Sequence, residues 1–295
     1  MKKLIVFVFV GFLAQLIDGS LGMAYGVTST TLLLTFGIAP AVASASVHLA
    51  EVVTTAASGV SHWKFGNVDR GMVGKLIIPG SVGAFVGACF LSNLPGDLIK
   101  PYVSLFLLAL GLYIMYRFLF LNGRSPSAPG KRWSNKRLIP LGLAAGFLDA
   151  TGGGGWGPIA TPVLLSNRNM EARKVIGTVD TSEFAIASSA TLGFVISLGW
   201  EQVNWYWVLT LMAGGIVAAP IAAWLVRKLP SYLLGVLVGG LIILTNTRTL
   251  LHAWEAPAPV YPAVYGFIVL GWAAAVAMAI KNGRKGKAAN GELAS

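Results

Sequence analysis

Apolar stretches recur along the chain, separated by short polar segments. Crossing a hydrocarbon core takes about 20 apolar residues in a helix. Stretches at 41–63, 76–92, 98–116, 175–198, 205–226, 231–251 and 260–280 fit that length and predict about seven full transmembrane helices. Stretches 4–36 and 138–166 do not fit. Each is too long for one straight crossing and too short for two of about 20 residues. Both break at the middle, one at Asp18-Gly19-Ser20-Leu21-Gly22 and the other at Thr151, Gly152, Gly153, Gly154, Gly155, Trp156 and Gly157. Pro158 follows the second break, and proline suits the first position of a new helix. Each is therefore predicted to be a hairpin of two half-helices entering and leaving the bilayer on one side. Broken backbone survives at that depth only inside protein or beside a water-filled cavity. The expected fold class is all-α and polytopic.

The pattern occurs twice. Residues about 135 apart match: Gly11-Phe12-Leu13 with Gly146-Phe147-Leu148, Gly22 with Gly157, Val68 with Val203, Gly80 with Gly215, and Leu94-Pro95 with Leu229-Pro230. A compensated shift of three residues aligns Glu51 with Glu183. Each half reads as a glycine-broken stretch, a helix with a buried Glu, then two more helices. The expected organisation is a first transmembrane repeat at 1–120, a linker at 121–137, a second repeat at 138–251, and an extra helix with a basic tail at 252–295. Lys2-Lys3 before an apolar run imitates a signal peptide. Its recurrence in the second half argues for retention.

Charge gives orientation. Apolar residues form 55% of the chain and charged ones 11%, too few to cover a soluble domain of this size. The net charge of +11 lies in clusters between apolar runs, as the positive-inside rule predicts, and not on an aromatic-interleaved face for nucleic acid. Placing Lys64–Lys75, Arg117–Arg137, Arg168–Lys174, Arg227-Lys228 and Lys281–Lys287 in the cytoplasm makes the crossings alternate, provided 138–166 is re-entrant. The halves then have opposite topology, an inverted repeat, with the C-terminus cytoplasmic. By symmetry 4–36 re-enters from outside, which puts Lys2-Lys3 outside; a single broken crossing is the alternative. Cell inner (plasma) membrane is the expected location.

Inverted repeats with interrupted helices signify secondary transport around a midplane site. Half-helix N-termini supply free amides and the positive dipole end, which bind anions without a basic side chain. The expected solute-binding residues are Gly19, Ser20 and Gly22, then Thr151, Gly152, Gly153, Gly154, Gly155 and Gly157, with hydroxyls from Thr54 and Thr55. Tight turns or close helix packing would also account for the glycines.

Five of the eleven acids, Asp18, Glu51, Asp149, Asp180 and Glu183, fall in predicted membrane segments with no deep Lys or Arg. Ionisable groups there suggest a solute path or proton relay. His48, Glu51, Thr55, Ser58 and His62 share one helix face; Asp180 and Glu183 lie one turn apart on the matching helix, ahead of Ser188 and Ser189. Glu51, Glu183, Asp18, Asp149, Asp180 and His48 are the expected proton-coupling set. A seam of interhelical hydrogen bonds is the alternative. His62, His252 and several tryptophans are expected at the membrane interface. Gly152, Gly154 and Gly157 satisfy G-x-G-x-x-G but lack the preceding strand of a dinucleotide site. No cofactor, metal-ligand spacing or nucleophile–base pair is expected, and lone Cys89 reads as packing.

From Gly11 to Leu251 the chain resembles the sulfite exporter TauE/SafE family of membrane permeases. The resemblance rests on Gly146-Phe147-Leu148 with glycines 152–157 and Pro162, on Gly66-Asn67-Val68-Asp69, on Gly80 and Gly87, on Leu94-Pro95 with Leu229-Pro230, and on Gly177-Thr178 before the Glu-bearing helix. It implies transport of a small anion such as sulfite or an organosulfur anion. The first half departs from the family's glycine run by carrying Asp18. The residues then read as a proton-coupled anion permease working by alternating access, not an enzyme. Rivals are a cation or metal-ion transporter and an intramembrane enzyme.

Overall fold

The computed structural model describes residues 2–121, 133–165, 171–225 and 231–292. Residues 122–132 of the expected linker, Arg168, Arg227-Lys228 and Leu229-Pro230 lie outside these. Among the described residues the chain forms eleven α-helices. They are α1 Lys2–Leu21, α2 Tyr25–Thr35, α3 Pro40–Lys64, α4 Arg70–Ser92, α5 Gly96–Tyr116, α6 Asn135–Gly152, α7 Trp156–Leu165, α8 Ala172–Leu198, α9 Trp205–Leu225, α10 Ser231–Ala253 and α11 Val260–Glu292. The two broken stretches divide where the glycines predicted, between α1 and α2 and between α6 and α7.

Six helices are long and apolar enough to cross a membrane: Arg70–Ser92, Gly96–Phe120, Arg173–Leu198, Trp205–Leu225, Gly235–Ala253 and Val260–Asn282. The expected seventh, 41–63, forms the 25-residue helix α3. At 1.5 Å per residue it spans about 37 Å, so its length suffices. It falls short on hydropathy because Ser44, Ser46, His48, Glu51, Thr54, Thr55, Ser58 and His62 are all buried on it.

The distribution of polarity is that of a membrane protein. Large apolar side chains face outward, with Phe267 80% and Ile78 70% exposed. The buried charged groups are acids and histidines, with no buried Lys or Arg among the described residues. Trp200 stacks on Trp205 at 5.9 Å near one helix junction, and Arg70 sits 4.1 Å over Trp63 near another.

Close crossings hold the bundle together. A methyl group on Gly146 of α6 would collide with the Gly80 carbonyl of α4. One on Gly214 of α9 would collide with the Val8 carbonyl of α1. Without a hydrophobic drive between helices in lipid, such backbone-to-backbone fit supplies the packing energy. The main pairs are α4 with α6 and α8, α9 with α1 and α3, α3 with α8, and α5 with α10. α11 lies mostly against α10, where the Trp272 indole donates to the Val236 carbonyl at 3.1 Å. Cys89 is a packing residue, its sulfur 3.9 Å from the Gly193 carbonyl.

Candidate functional site

The two helix breaks meet at the centre of the bundle. Gly22, with φ +69°, ends α1, and Gly153, with φ +68°, ends α6. Such positive φ suits glycine because it lacks a Cβ. The Thr161 hydroxyl of α7 donates to the Gly22 carbonyl at 2.5 Å. The Thr30 hydroxyl of α2 donates to the Gly153 carbonyl. The backbones touch as well: a methyl on Gly26 would lie 2.7 Å from the Gly154 Cα, and one on Gly157 would lie 2.7 Å from the Gly22 oxygen. The contacts are reciprocal between positions 131 apart, not the 135 of the sequence match. Gly22 thus behaves like Gly153, and Gly26 like Gly157. The difference of four residues is about one helical turn, so the misaligned glycines still fall on the correct face.

Each break is bound by the carboxylate seven residues before the next helix. Asp149 Oδ1 accepts from the Gly155 and Trp156 amides at 2.7 and 2.9 Å. Asp18 Oδ1 accepts from the Tyr25 amide at 3.3 Å. The helix ends expected to offer bare amides therefore hold the chain's own acids. Trp156 then locks α7 to α8, its indole donating to the Val179 carbonyl and the Ser182 hydroxyl, both at 3.2 Å.

The polar faces of α3 and α8 close on these acids. His48 Nε2 lies 3.1 Å from Asp149 Oδ2 and 3.9 Å from Glu51 Oε2. Asp18, Asp180 and Glu183 bring carboxyl oxygens within 4.8 Å of one another. Each of these six side chains is at most 5% exposed. The Glu51 Oε1 atom stands 3.0 Å from where a methyl on Gly26 would be, so it borders the backbone crossing.

Other expected site residues act locally. The Ser20 hydroxyl returns to the Leu16 carbonyl at 2.6 Å, and Thr151 returns to Phe147 at 2.8 Å. Thr55 and Thr54 bond the Glu51 carbonyl at 2.5 and 3.5 Å. Gly19 packs near Ser58 and Gln15, and Gly152 against Phe106. His62 is not interfacial as expected. It is fully buried, with Nε2 donating to the Gly19 carbonyl at 3.0 Å and Nδ1 facing the Asn67 amide at 3.2 Å. Asn67 folds over it from the turn after α3 and so seals the end of the helix. His252 is exposed. Sequence reasoning passed over Thr30, Thr161, Tyr25 and Gln15; the 131-residue spacing of the two threonines was the available signal.

The family described as Sulfite exporter TauE/SafE matches residues 7–249. The chain belongs to that family. Among TauE/SafE relatives, "Probable membrane transporter protein YtnM" of Bacillus subtilis (strain 168) is 67% identical over 276 residues, covering 94% of this chain and 92% of the relative. "Probable membrane transporter protein YdhB" of the same organism is 27% identical over 231 residues, covering 77% of this chain and 92% of the relative. No solved structure matches. As a TauE/SafE member the chain is a multi-pass membrane transporter.

Proposed function

We propose that this chain is a secondary transporter of a small anion, sulfite or an organosulfur or other organic anion, moved with protons by alternating access. The family description points to the sulfite class. The observation that carries the mechanism is the pair of helix N-termini meeting at the centre, each held by an internal carboxylate.

That arrangement couples charge to protons. While Asp149 is ionised, it occupies the Gly155 and Trp156 amides. A proton on Asp149 removes its charge and weakens its hold on these amides, which opens them to an oxyanion, the ligand that helix N-termini favour. Glu51 and Glu183 border the same region and take part in loading the protons. An anion and protons thus enter together, and the buried acids never face the anion fully charged.

We read the halves as copies of one unit in opposite orientation. The exchanged helix pairs, α1 with α9 and α6 with α4, support this, as do the two threonine–carbonyl bonds. In this reading 4–36 and 138–166 are re-entrant hairpins, the C-terminus is cytoplasmic, and the location is the plasma membrane. A cleft of about 470 Å³ at the ends of α2, α5 and α10 carries Lys100, Arg248 and His252 against one acid, Asp97. It suits the gathering of anions before entry. One turn inward from Thr249, Asn246 donates to Thr31 at 2.8 Å, next to Thr30 at the crossing.

The test is sulfite flux into proteoliposomes under an imposed pH gradient. Inward acid flux is expected to drive sulfite uptake, and Glu183→Gln is expected to abolish the pH dependence in a folded protein. Sulfite flux indifferent to the gradient would overturn the coupling; absence of flux for sulfite and for organosulfonates would overturn the cargo class.

A further inference from the structure

The two groups of buried acids have the same plan but different charge. On one side Asp149, seven residues before Trp156, meets His48 and Glu51, which lie three residues apart. On the other side Asp18, seven residues before Tyr25, meets Asp180 and Glu183, also three apart. Asp180 stands where His48 stands in the first group. The His48 Nδ1 is 2.8 Å from the Ser44 carbonyl, which only accepts, so that nitrogen carries a hydrogen. Its Nε2 then faces two carboxyls. The first group contains its own proton-bearing imidazole; the second has a third carboxyl instead.

Neighbouring side chains do not make up the difference. His62 Nε2 is 3.8 Å from Asp180 Oδ2. Both its nitrogens are engaged, with the Gly19 carbonyl and the Asn67 amide, which fixes the neutral tautomer. No Lys or Arg is buried among the described residues. A separate observation points to a ligand. The Ser58 hydroxyl, 0% exposed, lies against Asp180 and beside Gly19, yet makes no hydrogen bond of ordinary geometry. Both Asp180 oxygens and Asp18 Oδ2 also lack a hydrogen-bond partner. Asp18 and Ser58 both lie against Asp180 without a bond of ordinary geometry; buried polar atoms are normally satisfied, so these oxygens gathered about Asp180 call for a shared partner.

We propose that Asp18, Asp180, Glu183 and the Ser58 hydroxyl bind a small hard cation, Na⁺ or Ca²⁺. The donors are all oxygen, which excludes the metals that seek thiolate or imidazole. Carboxyl oxygens within 4.8 Å of one another fit around an ion with bonds of about 2.3–2.6 Å, as Ca²⁺ makes, with room to spare for Mg²⁺ at about 2.0–2.1 Å. The cation faces the carboxyls of this group as the His48 imidazole faces those of the other. The inference rests on the geometry of the acids and not on the nature of the cargo.

The test uses the purified full chain in detergent, without transport. Titrations of NaCl and CaCl₂ against choline chloride at constant ionic strength would be followed by calorimetry and by the thermal midpoint. One of the two cations is expected to bind and raise the midpoint, as any ligand of the folded state does. Asp180→Asn is expected to weaken binding about 100-fold, and Ser58→Ala about 10-fold. Asp180→His, which copies the other group, is expected to fold and lose the response to cation. Glu51→Gln is expected to keep it. Responses no larger than with choline would overturn the proposal and leave the acids as a proton store. So would a response that persists in Asp180→His and Ser58→Ala, the pair that decides if Asp180→Asn does not fold. Failure of sulfite flux leaves this result standing, and the reverse also holds.

Discussion

Asp149 shows how one side chain can tie two parts of the fold together. One oxygen closes the start of α7 and the other meets His48, so a change of its charge is felt at both. Thr30 and Thr161 are simpler. Each satisfies a carbonyl exposed by a break in the other half. Thr30→Val and Thr161→Val keep the volume and strand a buried carbonyl, which costs about 1–3 kcal/mol each. Thermal unfolding in detergent is expected to show similar losses for the two; a loss at one position alone would mean that the crossings are not equivalent. The breaks were legible in the sequence because length arithmetic and glycine agreed. The polar face of α3 was legible from its spacing. The occupants of the helix ends were not, because a carboxylate seven residues upstream reaches a helix start only when the chain turns back on itself. His62 was misjudged for a related reason: proximity to a helix end says nothing about Asn67 closing over it.

At the scale of elements, small residues set the distances. The crossing of α4 and α6 has no space for a side chain at Gly146. Gly146→Val is expected to force the helices apart and destabilise the protein by about 1–3 kcal/mol or more. The loss of monodisperse protein on size exclusion after extraction checks it, and an unchanged profile and melting midpoint would refute the packing account. α3 illustrates the limit of hydropathy. It has the length of a crossing, but its side chains serve other helices and not lipid, so the windowed average undercounts it. The helix richest in buried polar side chains is thus the one that the average passes over, whereas α8, with Asp180 and Glu183, is apolar enough elsewhere to be counted.

For the molecule as a whole, polarity runs from a charged centre to an apolar exterior. α11 belongs to that exterior: 11% of its apolar window is buried, and its main partner is α10. A chain ending after Trp254 is therefore expected to insert, keep its melting midpoint within a few degrees and retain the cation response. Loss of that response would show that α11 supports the centre through α10. The matching helix breaks were legible from repeated residues, although the 131-residue offset of their contacts was not. A slip of four residues is nearly silent on a helix, and only the touching backbones expose it.

The replacement of His48 by Asp180 at the matching place has an electrical consequence. Two groups of buried acids that share a plan but differ by an imidazole against a carboxyl would not respond alike to membrane voltage. A full elementary charge carried across 100 mV is worth about 2.3 kcal/mol, enough to set which way the empty carrier rests. In the alternating-access cycle proposed above, such a molecule would idle facing one side of the membrane, and its turnover would rectify.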